Sequence, residues 1–352
     1  MSSNVVRRIR EKMRLRGRRA ATVMSTAVLG VVLVACGSSK GPSTVSSGKT
    51  HHVGSIVVGF SPQNVYMPFY FAVKQGFLAA QGITATLSTY PSGVEQLDAV
   101  LTGQADVTGN GQYNIPLVIA KGGHIETIAE YATSGYQFGA VATGSITRPQ
   151  DLIGKTVGTQ EGGSSTQYYF QLYLKHYGIP ASEVHLVNIK YAELVPALKA
   201  GSISAFFAFQ PYLSAALSSV PGAHILNYSG QDNIFPLYTF IGVSPKIYSD
   251  PTLAEAFLRG MIATENWMNT NPAKVYSETQ PVIQAASLTA AAAAMKIFTF
   301  KINLAQPAIE AVSQVENYLV SQKLVSSPQP MDKLINASFL RAVDPSVVAK
   351  DA

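Results

Sequence analysis

The sequence predicts an α/β fold of two lobes, in which each lobe is a mixed, mostly parallel sheet flanked by helices. Strand-like and helix-like segments alternate as far as about residue 244, and the order of elements in the first part of this region returns in the second. Beyond residue 244 only helical periodicity is seen. Alternation of this kind favours parallel strands joined by right-handed crossovers.

The repeated unit is clearest around two glycines, Gly103 and Gly201, which stand 98 positions apart. Before each glycine apolar residues recur at helical spacing, and a short apolar strand is predicted after it, at 105–108 and 205–208. A glycine at this place suits the left-handed cap that ends a helix. Each copy begins with a strand, a helix and a strand, at 55–60, 68–81 and 84–89 and again at 155–159, 164–177 and 184–188. Duplication, convergent design of the lobes and chance all stay open as explanations.

The remaining segments indicate how the lobes are joined. A helix at 115–121 and a strand at 125–131 continue the first lobe, a crossing is expected at 143–145, and the second lobe ends near 240–244. Four helices follow and are expected to pack on the first lobe, at 252–268, 272–279, 288–298 and 307–322. We therefore expect lobe I to comprise residues 55–143 and 245–352, lobe II to comprise residues 144–244, and a hinge of two crossings.

The N-terminal segment carries the pattern of a secretory signal. Eight Arg and Lys residues precede an uncharged stretch at 20–35, which ends in small residues before Cys36, the single cysteine of the chain. This resembles a bacterial lipobox, so we expect residues 1–35 to be a lipoprotein signal peptide, Cys36 to be lipidated, and 36–54 to be a tether. The alternative is a transmembrane anchor, but the stretch is shorter than the roughly 20 residues that span a bilayer. The export route, Sec or twin-arginine, stays open.

The signal also accounts for the positive charge of the chain. The full sequence has 26 basic and 20 acidic residues; without the 8 basic residues and Glu11 of the signal, 18 and 19 remain. A net charge near −1 gives no reason to expect a nucleic-acid partner. With Cys36 acylated no thiol is left for a disulfide, a zinc site or a nucleophile. We expect no cofactor, no metal and a monomer on the extracytoplasmic face of the membrane.

Several motifs together resemble one family. Ser92-Gly93 opens a helix, Leu101-Thr102-Gly103-Gln104-Ala105-Asp106 ends it, and Asp151-Leu152-Ile153-Gly154-Lys155-Thr156-Val157 enters the second lobe. With Gly162-Gly163-Ser164-Ser165, these resemble the periplasmic solute-binding proteins of ABC importers, and more narrowly the branch for nitrate, sulfonates, taurine and thiamine-precursor pyrimidines. The resemblance implies a type II periplasmic-binding-protein-like clamp that closes on a small solute and delivers it to a permease and its ATPase.

The resemblance also implies where the solute binds, namely against helix N-termini in both lobes. The matching positions are Ser92, Gly93, Asn110, Gln112, Ser164, Ser165, Thr166, Gln210 and Tyr212. Loops of small residues before helices offer free N–H groups and hydroxyls to a ligand. The alternative is that Ser92 and Ser164 only cap their helices. Tyr66 and Tyr131 complete the candidate set as aromatic residues near strand ends.

Departures from the family pattern bear on the ligand. Sulfonate and taurine binders tend to have a tryptophan followed by an acid and a proline where this chain has Phe209-Gln210-Pro211-Tyr212. Together with the aromatic residues, the missing acid indicates a small organic solute, planar and held by stacking and amide hydrogen bonds. An enzyme is a competing class, although Gly-x-Ser-x-Gly, His-Glu-x-x-His and Walker motifs are absent. A sensory or adhesive lipoprotein is a third.

Overall fold

The computed structural model describes residues 51–161 and 164–350. The predicted signal peptide, Cys36 and most of the tether lie outside the described residues, as do Gly162 and Gly163. Within these ranges, no helix is both long enough and apolar enough to cross a bilayer.

The first of the two described sheets has six strands in the order β11-β4-β10-β3-β1-β2. They are β1 (Gly54–Phe60), β2 (Ile83–Thr89), β3 (Val107–Gly111), β4 (Glu126–Ser134), β10 (Leu237–Val243) and β11 (Thr299–Asn303). Strand β1 pairs in parallel with β2 in unbroken register and with β3, whereas β10 runs antiparallel between β3 and β4. Val58 at the centre of β1 and Phe240 in β10 are fully buried.

The second sheet has five strands in the order β7-β6-β8-β5-β9. They are β5 (Phe138–Ala142), β6 (Thr156–Thr159), β7 (His185–Asn188), β8 (Ala205–Phe209) and β9 (His224–Tyr228). Strand β6 is parallel to β7 and β8, and β5 is antiparallel to β8 and β9. In each sheet four strands run in one direction, which agrees with the mixed, mostly parallel sheets that the sequence predicts.

Helices flank both sheets. Between strands lie α1 (Met67–Lys74), α2 (Phe77–Ala80), α3 (Gly93–Leu101), α4 (Asn114–Ala120), α5 (Ser165–His176), α6 (Tyr191–Lys199) and α7 (Tyr212–Ser219). After β10 follow α8 (Pro245–Tyr248), α9 (Pro251–Thr270), α10 (Pro272–Val282), α11 (Leu288–Lys296), α12 (Gln306–Ser321), α13 (Met331–Leu334) and α14 (Ser338–Val343). Short 3₁₀ turns are found at Asn64–Tyr66, Pro149–Leu152, Ala181–Glu183, Gln231–Asn233 and Pro345–Val347.

The glycines of the repeat have the predicted conformation. Gly103 and Gly201 follow α3 and α6 with φ of +76° and +71°, the left-handed region that glycine enters without steric cost. The predicted helix at 68–81 is broken into α1 and α2 by Gly76, whose φ is +78°. The prediction that only helices follow residue 244 is also wrong in one place, because β11 joins the edge of the first sheet.

The crossings between the sheets lie earlier in the chain than the sequence predicts. Strand β5 was expected in the first lobe and lies in the second sheet, and β10 was expected in the second lobe and lies in the first sheet. The chain therefore crosses at 135–137 and returns at 229–236. Each of these strands enters its sheet antiparallel, and an apolar run does not reveal which of two sheets it joins. The lobe ranges as a whole stay a prediction.

The two crossings touch each other at a pair of glycines. The N–H of Gly230 donates to the carbonyl oxygen of Gly135 at 2.9 Å. A Cβ atom on Gly230 would lie 2.3 Å from the Cα atom of Gly135, which is closer than real side chains come. The two backbones can therefore meet here only because neither residue has a side chain.

Candidate functional site

A cavity of about 430 Å³ lies between the two sheets. Residues associated with the first sheet line one side: Gln63, Val65, Tyr66, Ser92, Gly93, Val94, Gly109, Gly111, Gln112, Tyr113, Asn114, Leu117, Leu237, Thr239 and Phe298. The second sheet and its loops contribute Phe138, Gln160, Ser164, Ser165, Tyr191 and Phe209, and the crossings contribute Gln137 and Phe235. It is the largest of the described cavities.

The lining residues come mainly from loops that follow parallel strands. In the first sheet, Tyr66 follows β1, Ser92 follows β2, and residues 109–114 end β3 and begin α4. In the second sheet, Ser164 follows β6 and Tyr191 follows β7. Ligands of open α/β sheets bind beyond the carboxyl ends of the strands, so the topology explains why the cavity forms here.

Six of the candidate residues from the sequence line this cavity: Tyr66, Ser92, Gly93, Gln112, Ser164 and Ser165. The other five, Asn110, Tyr131, Thr166, Gln210 and Tyr212, do not belong to its lining. Three of them contact lining residues: Thr166 and Tyr212 contact Tyr191, and the Tyr131 hydroxyl lies beneath Gly109.

The two candidate serines both cap helices. Ser92 Oγ accepts from the N–H of Val94 at 3.2 Å, and its hydroxyl donates to the carboxylate of Glu95. This hydroxyl is the largest cause that lowers the pKa of Glu95, followed by the backbone N–H of Glu95 itself. Ser164 Oγ accepts from the N–H of Gln167 at 3.2 Å and donates to the carbonyl of Gln160. These hydrogen bonds therefore support the alternative that both serines cap their helices.

Tyr66 is the central aromatic residue of the first wall. A Cβ on Gly93 would lie 2.0 Å from the Tyr66 hydroxyl oxygen, and a Cβ on Gly109 would lie 2.9 Å from its ring. Both glycines are therefore required for this ring position. Burial raises the pKa of Tyr66 to about 12, so its hydroxyl remains a hydrogen-bond donor at neutral pH.

Gln112, by contrast, is occupied by the backbone of the second crossing. Its Nε2 donates to the carbonyl of Pro236 at 2.9 Å, and its Oε1 accepts from the N–H of Tyr238 at 3.0 Å. Gln112 is only 1% exposed. It binds the backbone of the second crossing and also lines the cavity.

Asn110 and Tyr131 are buried within the first sheet. Asn110 lies within β3 opposite Phe240 of β10 and is buried. The Tyr131 ring packs against Phe69 at 4.9 Å, and its hydroxyl lies beneath Gly109. The sequence placed Tyr131 near a strand end, but β4 continues to Ser134, which leaves Tyr131 within the sheet.

Thr166, Gln210 and Tyr212 support the second wall. Thr166 Oγ1 lies within hydrogen-bonding distance of Tyr191 Oη, at 3.1 Å, and of Ser164 Oγ, at 3.0 Å. The Tyr212 ring stacks on Tyr191 at 5.8 Å. Gln210 Oε1 accepts from the N–H and hydroxyl of Ser214 in α7. The contacts of Thr166 and Tyr212 hold Tyr191, whose ring meets Phe209 edge-on at 4.7 Å.

Several lining residues were not predicted from the sequence, among them Tyr191, Gln137, Phe235 and Phe298. Tyr191 could have been found, because it follows the predicted strand at 184–188 in the same way that Ser92 follows the strand at 84–89. Gln137 and Phe235 could not, because they lie in crossings that were expected elsewhere.

The lining carries no charged side chain. Among its described residues there is no Asp, Glu, Lys, Arg or His. Residues 51–161 and 164–350 also contain no group of three His, Cys, Asp or Glu side chains that could hold a metal ion. What the lining does offer is amides, hydroxyls and aromatic rings, a composition suited to binding a small molecule.

Comparison with known proteins agrees with this geometry. A family model described as NMT1/THI5 like matches residues 63–275, which is more than half of the chain. The taurine-binding periplasmic protein of Escherichia coli K12 is 25% identical over 139 residues, or 40% of this chain and 43% of that protein. The putative binding protein YtlA of Bacillus subtilis 168 is 22% identical over 215 residues, or 59% of this chain and 64% of that protein. Both alignments thus span less than two thirds of the relative.

Solved structures share the fold. The periplasmic aliphatic sulphonate binding protein SsuA from Escherichia coli superposes with a TM-score of 0.67 at 15% identity, covering 80% of this chain and 91% of that protein. The desulfurization enzyme DSZB superposes with a TM-score of 0.62 at 15% identity, covering 83% and 99%. The predicted periplasmic-binding-protein fold is therefore confirmed, and the chain belongs to the NMT1/THI5-like family.

Proposed function

We propose that this chain is the extracytoplasmic solute-binding component of an ABC importer. It captures a small organic or oxyanion-bearing solute between its lobes and delivers the solute to a permease and its ATPase. The observation that carries the proposal is the cavity between the sheets, to which loops after parallel strands of both sheets contribute. The family match and the taurine-binding relative support the same class of function.

Capture follows from a cavity with two walls. A solute that contacts Tyr66 on one wall and Ser165 and Tyr191 on the other interacts fully only when the walls are close together. Such a solute shifts the population toward the closed form by the difference between its affinities for the two forms. We propose that the lobes rotate about the two crossings, since these segments join the sheets.

An enzyme on this fold is the alternative, because DSZB shares it. The uncharged lining argues for binding instead. General acid–base catalysis needs a titratable side chain within reach of the reacting atom, and a serine nucleophile needs an adjacent base. Of the serines that line the cavity, Ser164 donates to a backbone carbonyl. Ser92 donates to the carboxylate of Glu95, which is exposed and lies outside the lining.

We further propose that Cys36 is lipidated and holds the protein on the extracytoplasmic face of the membrane. The basic segment, the uncharged stretch and the small residues before Cys36 support this reading. Two acyl chains anchor a protein far more firmly than one, so a lipidated N-terminus would keep the protein close to its permease. A monomer is sufficient for this role.

Mass spectrometry of the purified protein tests the proposal. We expect a small molecule to be carried through purification, to be recovered unchanged after long incubation, and to reduce the radius of gyration in small-angle scattering. Deleting the gene should abolish uptake of the same molecule by cells. Recovery of a converted product in more than stoichiometric amount would assign the chain to an enzyme, and unaffected uptake would favour a sensory or adhesive role.

A further inference from the structure

A groove of about 340 Å³ lies where three helices meet the start of β11. Its lining comes from the end of α9, from α10, from the end of α11 and from the residues around the start of β11. We propose that this groove binds a small amphipathic anion, with an apolar chain and one carboxylate or sulfonate group, and that its occupancy acts on the solute cavity. The inference goes beyond the proposed function, because it concerns a separate site and a separate ligand.

The buried part of the groove is apolar. Met268, Val275 and Met295 belong to its lining, and each is at most 5% exposed. Methionine side chains are unbranched and adapt to the shape of an apolar ligand. Phe298 and Phe300 add two stacked rings, with centroids 5.7 Å apart. A groove of this volume, lined mostly by apolar side chains with few polar groups, has the character of a site for a small molecule.

Lys296 gives the groove its charge. It is exposed, and the described lining contains no Asp or Glu that would balance it. Its Nζ lies 5.8 Å from the centroid of the Tyr276 ring, which also lines the groove. None of the ion pairs within residues 51–161 and 164–350 involves Lys296. An anionic group here would therefore gain a partner that the chain does not itself provide, whereas a cation would be repelled.

Phe298 connects the groove to the solute cavity, because it belongs to the lining of both. Only 7% of its surface is exposed. In a closely packed interior, a ring that moves to admit a ligand on one side changes the space on its other side. The residue before it is held by the first sheet, since Ser134 Oγ donates to the carbonyl oxygen of Ile297 at 2.6 Å.

Asn64 provides a second connection. Its Nδ2 donates to the carbonyl oxygen of Ala294 in α11 at 2.7 Å. The 3₁₀ turn that begins at Asn64 ends at Tyr66, the central aromatic residue of the first cavity wall. The next two residues of α11, Met295 and Lys296, line the groove. A ligand that displaces the end of α11 would thus act on the turn at Tyr66 through a hydrogen bond.

Octanoate and octylammonium test the binding, because they share an apolar chain and differ in charge. Calorimetric titration uses a Cys36→Ser chain in detergent-free buffer, since a detergent would compete for an apolar groove. We expect octanoate to bind at least about fivefold more tightly than octylammonium near pH 7, the scale of an exposed ion pair. Lys296→Gln should remove this preference. Lys175→Gln neutralises an exposed lysine of α5 outside the groove and should retain it.

Two tryptophan variants locate the binding site. Asn269 and Asn266 are both exposed residues of α9, but only Asn269 lines the groove. Asn269→Trp places an indole where the chain of octanoate would lie, so we expect it to weaken octanoate binding by at least about tenfold through lost apolar burial. Asn266→Trp adds the same side chain beside the groove and should bind octanoate as the parent does.

Hydrogen exchange measured by mass spectrometry tests the action on the cavity. Octanoate should slow the exchange of backbone amides at 294–300 and also at 64–66, the turn that is bonded to α11. Neither segment should respond in Asn269→Trp.

Three outcomes would overturn the inference. Absence of binding heat with octanoate would exclude the site, and equal octanoate binding by Asn269→Trp and the parent would place the ligand elsewhere. Slower exchange at 294–300 with no change at 64–66 would overturn the action on the cavity. The proposed function would survive each of these outcomes, because the solute carried through purification is measured independently of octanoate.

Discussion

Glu130 is a carboxylate buried within the first sheet, and only 3% of its surface is exposed. Its Oε1 accepts from the Thr133 hydroxyl at 2.5 Å, whereas its Oε2 has no partner among the described residues. Burial raises its pKa to about 7, against the lowering effects of Thr133, the backbone at Ala305, and Lys301. Burial thus favours the protonated form of Glu130 in the folded protein.

This shift makes stability depend on pH. The folded-state pKa of Glu130 lies above the unfolded value, so its effect on stability is most favourable below about pH 4.5 and is lost as pH rises through about 7. We expect Glu130→Gln to be more stable than the parent at pH 8, by roughly 2 kcal/mol, and to differ little from it at pH 5. Urea unfolding of both proteins at the two pH values measures this difference.

The control for Glu130 is Glu193→Gln, which neutralises an exposed carboxylate in α6. It should leave the pH dependence as it is in the parent. A Glu130→Gln protein whose stability falls with pH as steeply as the parent's would show that Glu130 is ionised without cost in the folded state.

At the scale of elements, the start of α5 separates capping from ligand binding. Ser164 caps the helix, and its neighbour Ser165 lines the same cavity at the first helical position. We expect Ser164→Ala to lower the free energy of unfolding by about 1 kcal/mol, as for other N-cap serines. Ser165→Ala should weaken solute binding by about 1 kcal/mol, the scale of one hydrogen bond, with little effect on stability.

Chemical denaturation and calorimetric titration of the two variants distinguish these effects. Should Ser165→Ala destabilise the fold as much as Ser164→Ala does, both serines would belong to the cap and the solute would depend on other donors.

Local elements were largely predictable because their signals are local. The left-handed glycines at 103 and 201 follow from helix periodicity ending at a residue without a side chain. Strand β11 also had a local signal, since Phe300 and Ile302 alternate with polar residues, but its position among helices hid it. The sheet membership of β5 and β10 depends on contacts between distant segments, which no local pattern encodes. The same contrast explains the prediction of the site. Its loop residues have local signals and were predicted, whereas the residues in the crossings were missed.

At the scale of the whole molecule, an aromatic stack joins the helices of the two sheets. Tyr168 of α5 stacks on Tyr318 of α12 at 4.2 Å, with Tyr113 at 6.2 Å from Tyr168. Tyr168 and Tyr318 lie outside the cavity lining, and both are buried. We therefore expect the stack to influence the proposed lobe closure without contacting the solute.

We expect Tyr168→Ala to broaden the distribution of distances between the lobes, because the loss of a stacked pair removes about 1 kcal/mol of interaction between them. Tyr168→Phe keeps the ring and should retain the parent's distribution. Spin labels can be attached at one exposed cysteine introduced on each lobe in a Cys36→Ser chain, since Cys36 is the single native cysteine. Identical distributions in Tyr168→Ala and the parent would exclude the stack as a link between lobes.

The contact of Gly135 with Gly230 has a mechanical consequence. Two separate linkers would let one lobe slide and twist on the other in several independent directions. Here the linkers are joined backbone to backbone by a 2.9 Å hydrogen bond at one point, with no side chain between them. We therefore expect rotation about that point to be the softest motion between the lobes, and we expect both walls to return to the same alignment each time they meet. An inserted residue in either linker would move this pivot, and the rings and amides of opposite walls would no longer face each other.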